Sequence, residues 1–401
     1  MSKVLLLSIP SHGHMNPLLG LANELIHHGE SVTFFSSEEF RSSVHSIGAQ
    51  FIAYSEDMNI FKKEQGESKP KTGLFGALLQ PGKFIDNTLA QIGDTQYDYL
   101  VFSTAYPYAT VIAQVLNIPS ISSFAVFMPM KKLLQQKREN GDTKLPFGMK
   151  PEVMESVKNT ARSVMQKHKV SLPQNPFELM INKGDLNIIY TSQYFLGETD
   201  EYDDSFILVG PPVYNKSYNI DFPFEQLEGK EVIYISLGTM FGNHSETLNR
   251  TLFDAFRNTH YTIVMAAHGV DDSVYDIPDN FIIKDYVPQL DLLPYVSAAI
   301  THAGMNSIGD LLYHNIPFVS IPLGADQFYL ANRAAELGAT IVLDANQVTP
   351  QQIRESVKEV IHNPAYRYNE AQISHSFKEA GGYERAVEEI FKLTKRKEPV
   401  Y

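Results

Sequence analysis

The chain has 401 residues, 43% of them hydrophobic and 20% charged, and contains no cysteine. That length exceeds what one core organises and predicts two domains, while the missing thiols exclude a disulfide framework, a thiolate nucleophile and a cysteine-held metal. A formal charge of -13 argues against nucleic acid or an anionic membrane as partner, and with no apolar run of spanning length a cytoplasmic enzyme is expected.

The first half alternates strand-like runs with helical patterns: Val4 to Ile9, Ser31 to Phe35, Gln50 to Tyr54, Tyr99 to Ser103, Pro119 to Ser123 and Leu186 to Thr191. Such alternation predicts a parallel sheet with helices on both faces. The first run leads into Pro10-Ser11-His12-Gly13-His14-Met15-Asn16-Pro17, then a helix with Leu18, Leu21, Ala22, Leu25 and Ile26 on one stripe and Gly29 as its stop. Asn16 reads as the N-cap and Pro17 as the first helical residue. His14 then stands just ahead of a helix N-terminus, where the positive dipole end disfavours imidazolium. A histidine kept neutral near pH 7 can accept a proton from a hydroxyl; His12 reads as structural. Asn59 to Gly82, rich in Gly, Pro and Lys, reads as a long loop and part of a lid.

After Val209, Gly210-Pro211-Pro212 and the loop-like Tyr214 to Pro223 mark a linker over 211–229 between domains at 1–210 and 230–382. The alternation restarts at Val232 to Leu237 and continues through Tyr261 to Ala266, Phe281 to Tyr286, Ala298 to Thr301, Pro317 to Ile321 and Ala339 to Leu343. The last amphipathic helix, with Val387, Ile390, Phe391 and Thr394 on one face, lies in a terminal segment 383–401. The densest signal is Tyr286 to Gln327. There an apolar strand runs into Thr301-His302-Ala303-Gly304-Met305-Asn306-Ser307, followed by Ile308, Leu311 and Leu312 at helical spacing. With Asn306 or Ser307 as N-cap, the free N–H groups of the first turn and the dipole would face whatever occupies the turn. A phosphate fits there.

This block resembles the donor motif of the UDP-glycosyltransferases of plant and macrolide-modifying type, which reads roughly W-x-P-Q, H-C-G-W-N-S-x-x-E and D/E-Q. Here the corresponding residues are Tyr286-Val287-Pro288-Gln289, His302 through Asp310, and Asp326-Gln327. The family's H-G-H-x-N-P turn is matched at His12 to Pro17. The resemblance implies the GT-B architecture, two Rossmann-like α/β domains on one cleft, with the last helix returning to the first domain. It implies that His14 is the general base, that Tyr286 stacks under uracil, and that Val287 and Gln289 line the base. His302 would donate to the diphosphate, with Gly304, Asn306 and Ser307 completing a phosphate cradle to which Ser236, Gly238 and Thr239 add contacts. Asp310 would accept from ribose hydroxyls, and Asp326 and Gln327 would hold the sugar.

The implied reaction is inverting transfer of a hexose, glucose being the expected one, from a UDP-sugar co-substrate to a hydroxyl of a hydrophobic small molecule such as a phenol, flavonoid or macrolide. No Asp-x-Asp pair occurs in the chain, so neither metal nor cofactor is expected, and the helix dipole and His302 must stabilise departing UDP. A broad apolar acceptor cavity is expected from Phe75, Tyr106, Phe124, Phe127, Met128 and Met130, in a monomer or weak dimer. One departure stands out: where the family carries an aspartate beside its histidine, this chain has Ser103. Serine orients an imidazole but cannot neutralise its cation. A UDP-sugar epimerase or a noncatalytic UDP-sugar-binding protein of the same fold are the alternatives. A nicotinamide dehydrogenase is excluded because neither opening strand is followed by G-x-G-x-x-G.

Overall fold

The computed structural model describes residues 1–60, 73–125, 151–173, 178–179, 181–198, 200–214, 222–238, 246–267, 270, 275–324 and 326–395. The chain divides into two compact units: Met1–Tyr190, Thr199–Val209 and Gly381–Tyr401 form the first, Thr191–Glu198 and Gly210–Ala380 the second.

In the first unit the strands are β1 (Lys3–Leu7), β2 (Ser31–Ser36), β3 (Gln50–Ala53), β4 (Tyr99–Ser103), β5 (Ser120–Phe124), β6 (Leu186–Ile189) and β7 (Phe206–Leu208). They form one sheet in the order β3-β2-β1-β4-β5-β6-β7, parallel throughout. Val4 through Leu7 and Leu100 through Phe102 have no exposed surface, as expected for strands covered on both faces. β7 was not anticipated. It is a half-buried edge strand of only three residues, too short to show a period.

The second unit contains β8 (Val232–Ser236), β9 (Thr262–Ala266), β10 (Phe281–Lys284), β11 (Val296–Thr301), β12 (Phe318–Ser320) and β13 (Thr340–Val342). Their order is β10-β9-β8-β11-β12-β13, again all parallel. Both sheets therefore follow the doubly wound order in which the chain turns back beside the first strand. The crevice at that switch point, beyond the carboxyl ends of β1 and β4 or of β8 and β11, is where such sheets receive ligands.

Three boundaries differ from expectation. The 211–229 segment groups with the second unit, and so does the short helix Gln193–Leu196, which reaches it before the proline-rich stretch. The cause is packing: the Phe195 ring meets Phe377 edge-on at 5.6 Å, and its carbonyl accepts from Nε of Arg333 at 2.7 Å. Within the expected loop at 59–82, Gly73–Leu78 is helical and buries Ala77 and Leu78; residues 61–72 lie outside the described residues. The final helix, Gly382–Lys395, belongs to the first unit, where Ala386, Val387 and Ile390 are fully buried and the Tyr383 hydroxyl donates to the Pro17 carbonyl at 3.0 Å. Among the described residues no helix is long and apolar enough to cross a membrane.

Candidate active site

His14 sits at the first switch point. The helix after β1 runs His12–His27 with Ser11 at its N-cap, so the expected cap at Asn16 is corrected. The N–H groups of His14 and Met15 already donate to the Ser11 carbonyl at 3.0 and 2.8 Å, and Pro17 falls inside the helix. His14 is therefore in the first helical turn rather than ahead of it, still within reach of the positive dipole end. Its Nδ1 lies 2.8 Å from the Ser103 hydroxyl at the end of β4. When Nδ1–H donates to that oxygen, Nε2 is left as an acceptor. Burial lowers the imidazole pKa to about 4, so the ring is neutral near pH 7.

His302 occupies the equivalent switch point of the second unit. Its backbone N–H donates to the Ser236 carbonyl at 3.2 Å, and Nδ1 lies 3.2 Å from the same oxygen. A carbonyl only accepts, so the proton is on Nδ1, and Nε2 becomes a donor only in the imidazolium. Burial lowers this histidine too, to about 4. The ring fits because both flanking positions lack a side chain: a Cβ at Gly238 would lie 2.6 Å from Nε2, and one at Gly304 2.4 Å.

The helix beyond this turn is Met305–Tyr313, with Gly304 as its N-cap and no side-chain cap bond, so neither Asn306 nor Ser307 is the cap. The chain reverses earlier than expected because Ala303 adopts a left-handed φ of 60° while its N–H donates to Thr301 Oγ1 at 3.1 Å. Asn306 and Ser307 become the second and third helical residues, which places their N–H groups in the first turn, at the positive end of the helix dipole.

On the same helix, Oδ2 of Asp310 accepts from Nε2 of Gln289 at 2.6 Å. Gln289 opens the short helix Gln289–Leu292, and its Oε1 accepts from the Tyr234 hydroxyl at 3.2 Å. The Gln289 amide is thus engaged with Asp310 rather than with a base-lining role alone. Tyr286 is 40% exposed, unlike the core aromatics around it, whereas Val287 is buried. Tyr234 was missed by sequence reasoning. Its signal was a phenolic hydroxyl amid the aliphatic residues Val232, Ile233 and Ile235 of β8.

Asp326 and Gln327 are both buried. Asp326 stands at the N-cap position of the helix Gln327–Glu336, yet its side chain makes no cap bond, and burial raises its carboxyl to about 6. Gln327 Oε1 accepts from the N–H groups of Leu323 and Gly324 at 2.8 and 3.1 Å, holding the loop between β12 and that helix. Thr239 lies outside the described residues.

The expected acceptor lining is corrected in part. Tyr106 has no exposed surface: its hydroxyl donates to the Phe84 carbonyl at 3.2 Å and lies 2.8 Å from Thr88 Oγ1, so it belongs to the packed interior. Phe124 is buried edge-on against Phe206 at 5.4 Å, and Phe75 packs against a separate cluster with Leu78 and Tyr108. Phe127, Met128 and Met130 lie outside the described residues.

The chain can be compared with known proteins on this basis. Residues 222–383 match the model of the family described as UDP-glucoronosyl and UDP-glucosyl transferase. The chain is 30% identical to YdhE, a UDP-glucosyltransferase of Bacillus subtilis (strain 168), over 99% of this chain and 100% of that one. It is 23% identical to the oleandomycin glycosyltransferase of Streptomyces antibioticus, over 99% and 93% of the two chains. Among solved structures, CalG4, the calicheamicin glycosyltransferase, superposes with a TM-score of 0.78 at 23% identity over the whole of both chains. The two doubly wound units, the histidine-bearing switch points and this end-to-end similarity together establish that the chain belongs to the UDP-glucoronosyl and UDP-glucosyl transferase family, with the GT-B fold.

Proposed function

We propose that the protein transfers a hexose, glucose by preference, from a UDP-sugar to a hydroxyl of a hydrophobic small molecule in the cytoplasm, with inversion and without a metal. The observation that carries the donor half is the His302 ring seated between Gly238 and Gly304 at the start of the helix Met305–Tyr313. A diphosphate there meets the N-terminal turn of that helix and the positive end of its dipole. That turn and His302 stabilise the charge that accumulates on departing UDP. Tyr286 offers an exposed ring face to uracil, Asp310 accepts from ribose hydroxyls, and the Asp326 carboxylate, with Gln327, holds the sugar.

The acceptor half rests on His14. Its Nε2 takes the acceptor's proton, the freed oxygen attacks the anomeric carbon, and the bond from that carbon to the β-phosphate oxygen breaks, its electron pair leaving with UDP. Ser103 holds the imidazole through Nδ1. That two relatives are named for oleandomycin and calicheamicin supports a large apolar natural product or a phenol as acceptor.

The deciding experiment incubates the protein with UDP-glucose and a panel of phenols, flavonoids and macrolides, with and without EDTA. Acceptor-dependent UDP release, a β-glucoside by NMR and insensitivity to chelation are expected. UDP release that ignores the acceptor, or conversion of the sugar itself, would instead identify a hydrolase or an epimerase, and binding without turnover a sensor.

A further inference from the structure

Tyr234 belongs to neither motif and is 3% exposed within β8. Its hydroxyl donates to Oε1 of Gln289 at 3.2 Å, and Nε2 of Gln289 donates to Oδ2 of Asp310 at 2.6 Å. The same hydroxyl also interacts with the Ser236 side chain, and Tyr234, Tyr286 and Asp310 are close enough to influence one another electrostatically. A glutamine amide can present either end to a neighbour. With the Tyr234 hydroxyl pointed at it, the oxygen end is held toward β8 and the NH2 end toward the carboxylate. Without that donor, the carboxylate still draws the NH2 end, but the oxygen end loses its anchor on β8 and the amide can swing, so the contact no longer fixes where Asp310 lies. The relay matters most because aspartate is one methylene shorter than the glutamate it replaces in the family motif, so its reach depends on how it is held.

We propose that Tyr234 is a positioning residue for the donor nucleotide, fixing the Asp310 carboxylate through the Gln289 amide where a ribose diol is recognised. The inference rests on the reading of this turn as a UDP-sugar site. It assigns Gln289 to holding the ribose acceptor and makes recognition of the ribose hydroxyls depend on a hydroxyl buried in the adjacent strand.

The test measures dissociation constants for UDP and 2′,3′-dideoxy-UDP by calorimetry in the full-length protein and in Tyr234→Phe, Gln289→Met and Asp310→Ala. The wild type should bind UDP more tightly than the dideoxy compound by on the order of tenfold to a hundredfold, the range for hydrogen bonds to a charged group. Tyr234→Phe should weaken UDP by about tenfold and leave the dideoxy compound within about twofold, with KM for UDP-glucose rising and kcat holding. Gln289→Met should weaken both ligands through the base it lines, yet narrow the ratio between UDP and the dideoxy compound as Tyr234→Phe does, and that ratio decides the matter if Tyr234→Phe does not fold. If Asp310→Ala removes the preference for UDP while both relay variants retain it, the proposal is overturned and the donor reading stands. If the wild type shows no preference, or Asp310→Ala keeps it, the ribose reading itself fails. Equal weakening of both ligands by Tyr234→Phe overturns the proposal in favour of a purely structural tyrosine.

Discussion

The Ser103 hydroxyl oxygen lies 2.8 Å from Nδ1 of His14, tying the carboxyl end of β4 to the first turn of the helix that follows β1. A serine in this place holds the ring's orientation, its hydroxyl able to donate to or accept from Nδ1, but carries no charge to balance an imidazolium. Replacing it with a carboxylate should strengthen the base. Ser103→Asp is expected to raise kcat/KM for aliphatic alcohols by about tenfold or more and for acidic nitrophenols far less, since general-base assistance matters most where the hydroxyl is least acidic. Ser103→Ala should lose activity with both. A UDP-release assay across phenols of graded acidity checks this, and an unchanged dependence on acceptor acidity in Ser103→Asp would remove the base role from the pair.

In the proposed mechanism the low pKa of His14 sets where activity ends in acid. Burial moves the imidazole from its ordinary 6.5 to about 4, so the proton-accepting form persists as pH falls through 6 and is lost only near 4. The acid limb of kcat/KM, measured with an acceptor that does not titrate in this range, should therefore lie well below pH 6. A limb at 6.5 would mean that His14 is solvated in the working enzyme.

His302 predicts the opposite sign for donor binding. Burial holds it near 4 and hence neutral at pH 7, with its proton on Nδ1 toward the Ser236 carbonyl. To donate from Nε2 to a diphosphate it must gain a proton, and the anion favours that gain. Binding of UDP-glucose, whose diphosphate does not titrate near neutrality, should take up as much as one proton and weaken as pH rises, by at most about tenfold per pH unit. Calorimetry in buffers of different ionisation enthalpy reads the uptake directly. His302→Gln should abolish it; buffer-independent heats in the wild type would leave the helix N–H groups as the donors.

Glu370 offers a stability test. It has no exposed surface, neither carboxyl oxygen has a hydrogen-bond partner among the described residues, and burial raises it from 4.5 to about 8, opposed by Arg367. The folded state thus keeps a proton that the unfolded chain releases near 4.5, so stability falls as pH rises from 4.5 toward 8 and then levels off. At pH 7 the deficit is about 3 kcal/mol on this linkage. Glu370→Gln should flatten the pH dependence of the urea midpoint between pH 5 and 8 and stabilise the protein at the upper end. Parallel curves for the two proteins would show that water reaches the carboxyl.

Much of this was legible in the linear chain. The alternation of apolar runs with helical patterns located twelve of the thirteen strands among the described residues, because a strand buried on both faces must be a continuous apolar run. The Tyr286 to Gln327 block and the turn at His14 marked the two sites, since small residues before a helix are a local requirement of anion binding. What the chain could not show by itself is non-local. The grouping of Gln193–Leu196 with the second unit depends on Phe377 and Arg333. Tyr106 reads as a plausible pocket wall until its hydroxyl is found against Phe84 and Thr88. The family membership and the candidates for the reacting groups were written in short motifs. The Ser103 contact to His14, the Nδ1 proton of His302 and the Tyr234–Gln289–Asp310 relay came only from the folded units, because a hydrogen bond between residues far apart in the chain leaves no periodic trace in the sequence.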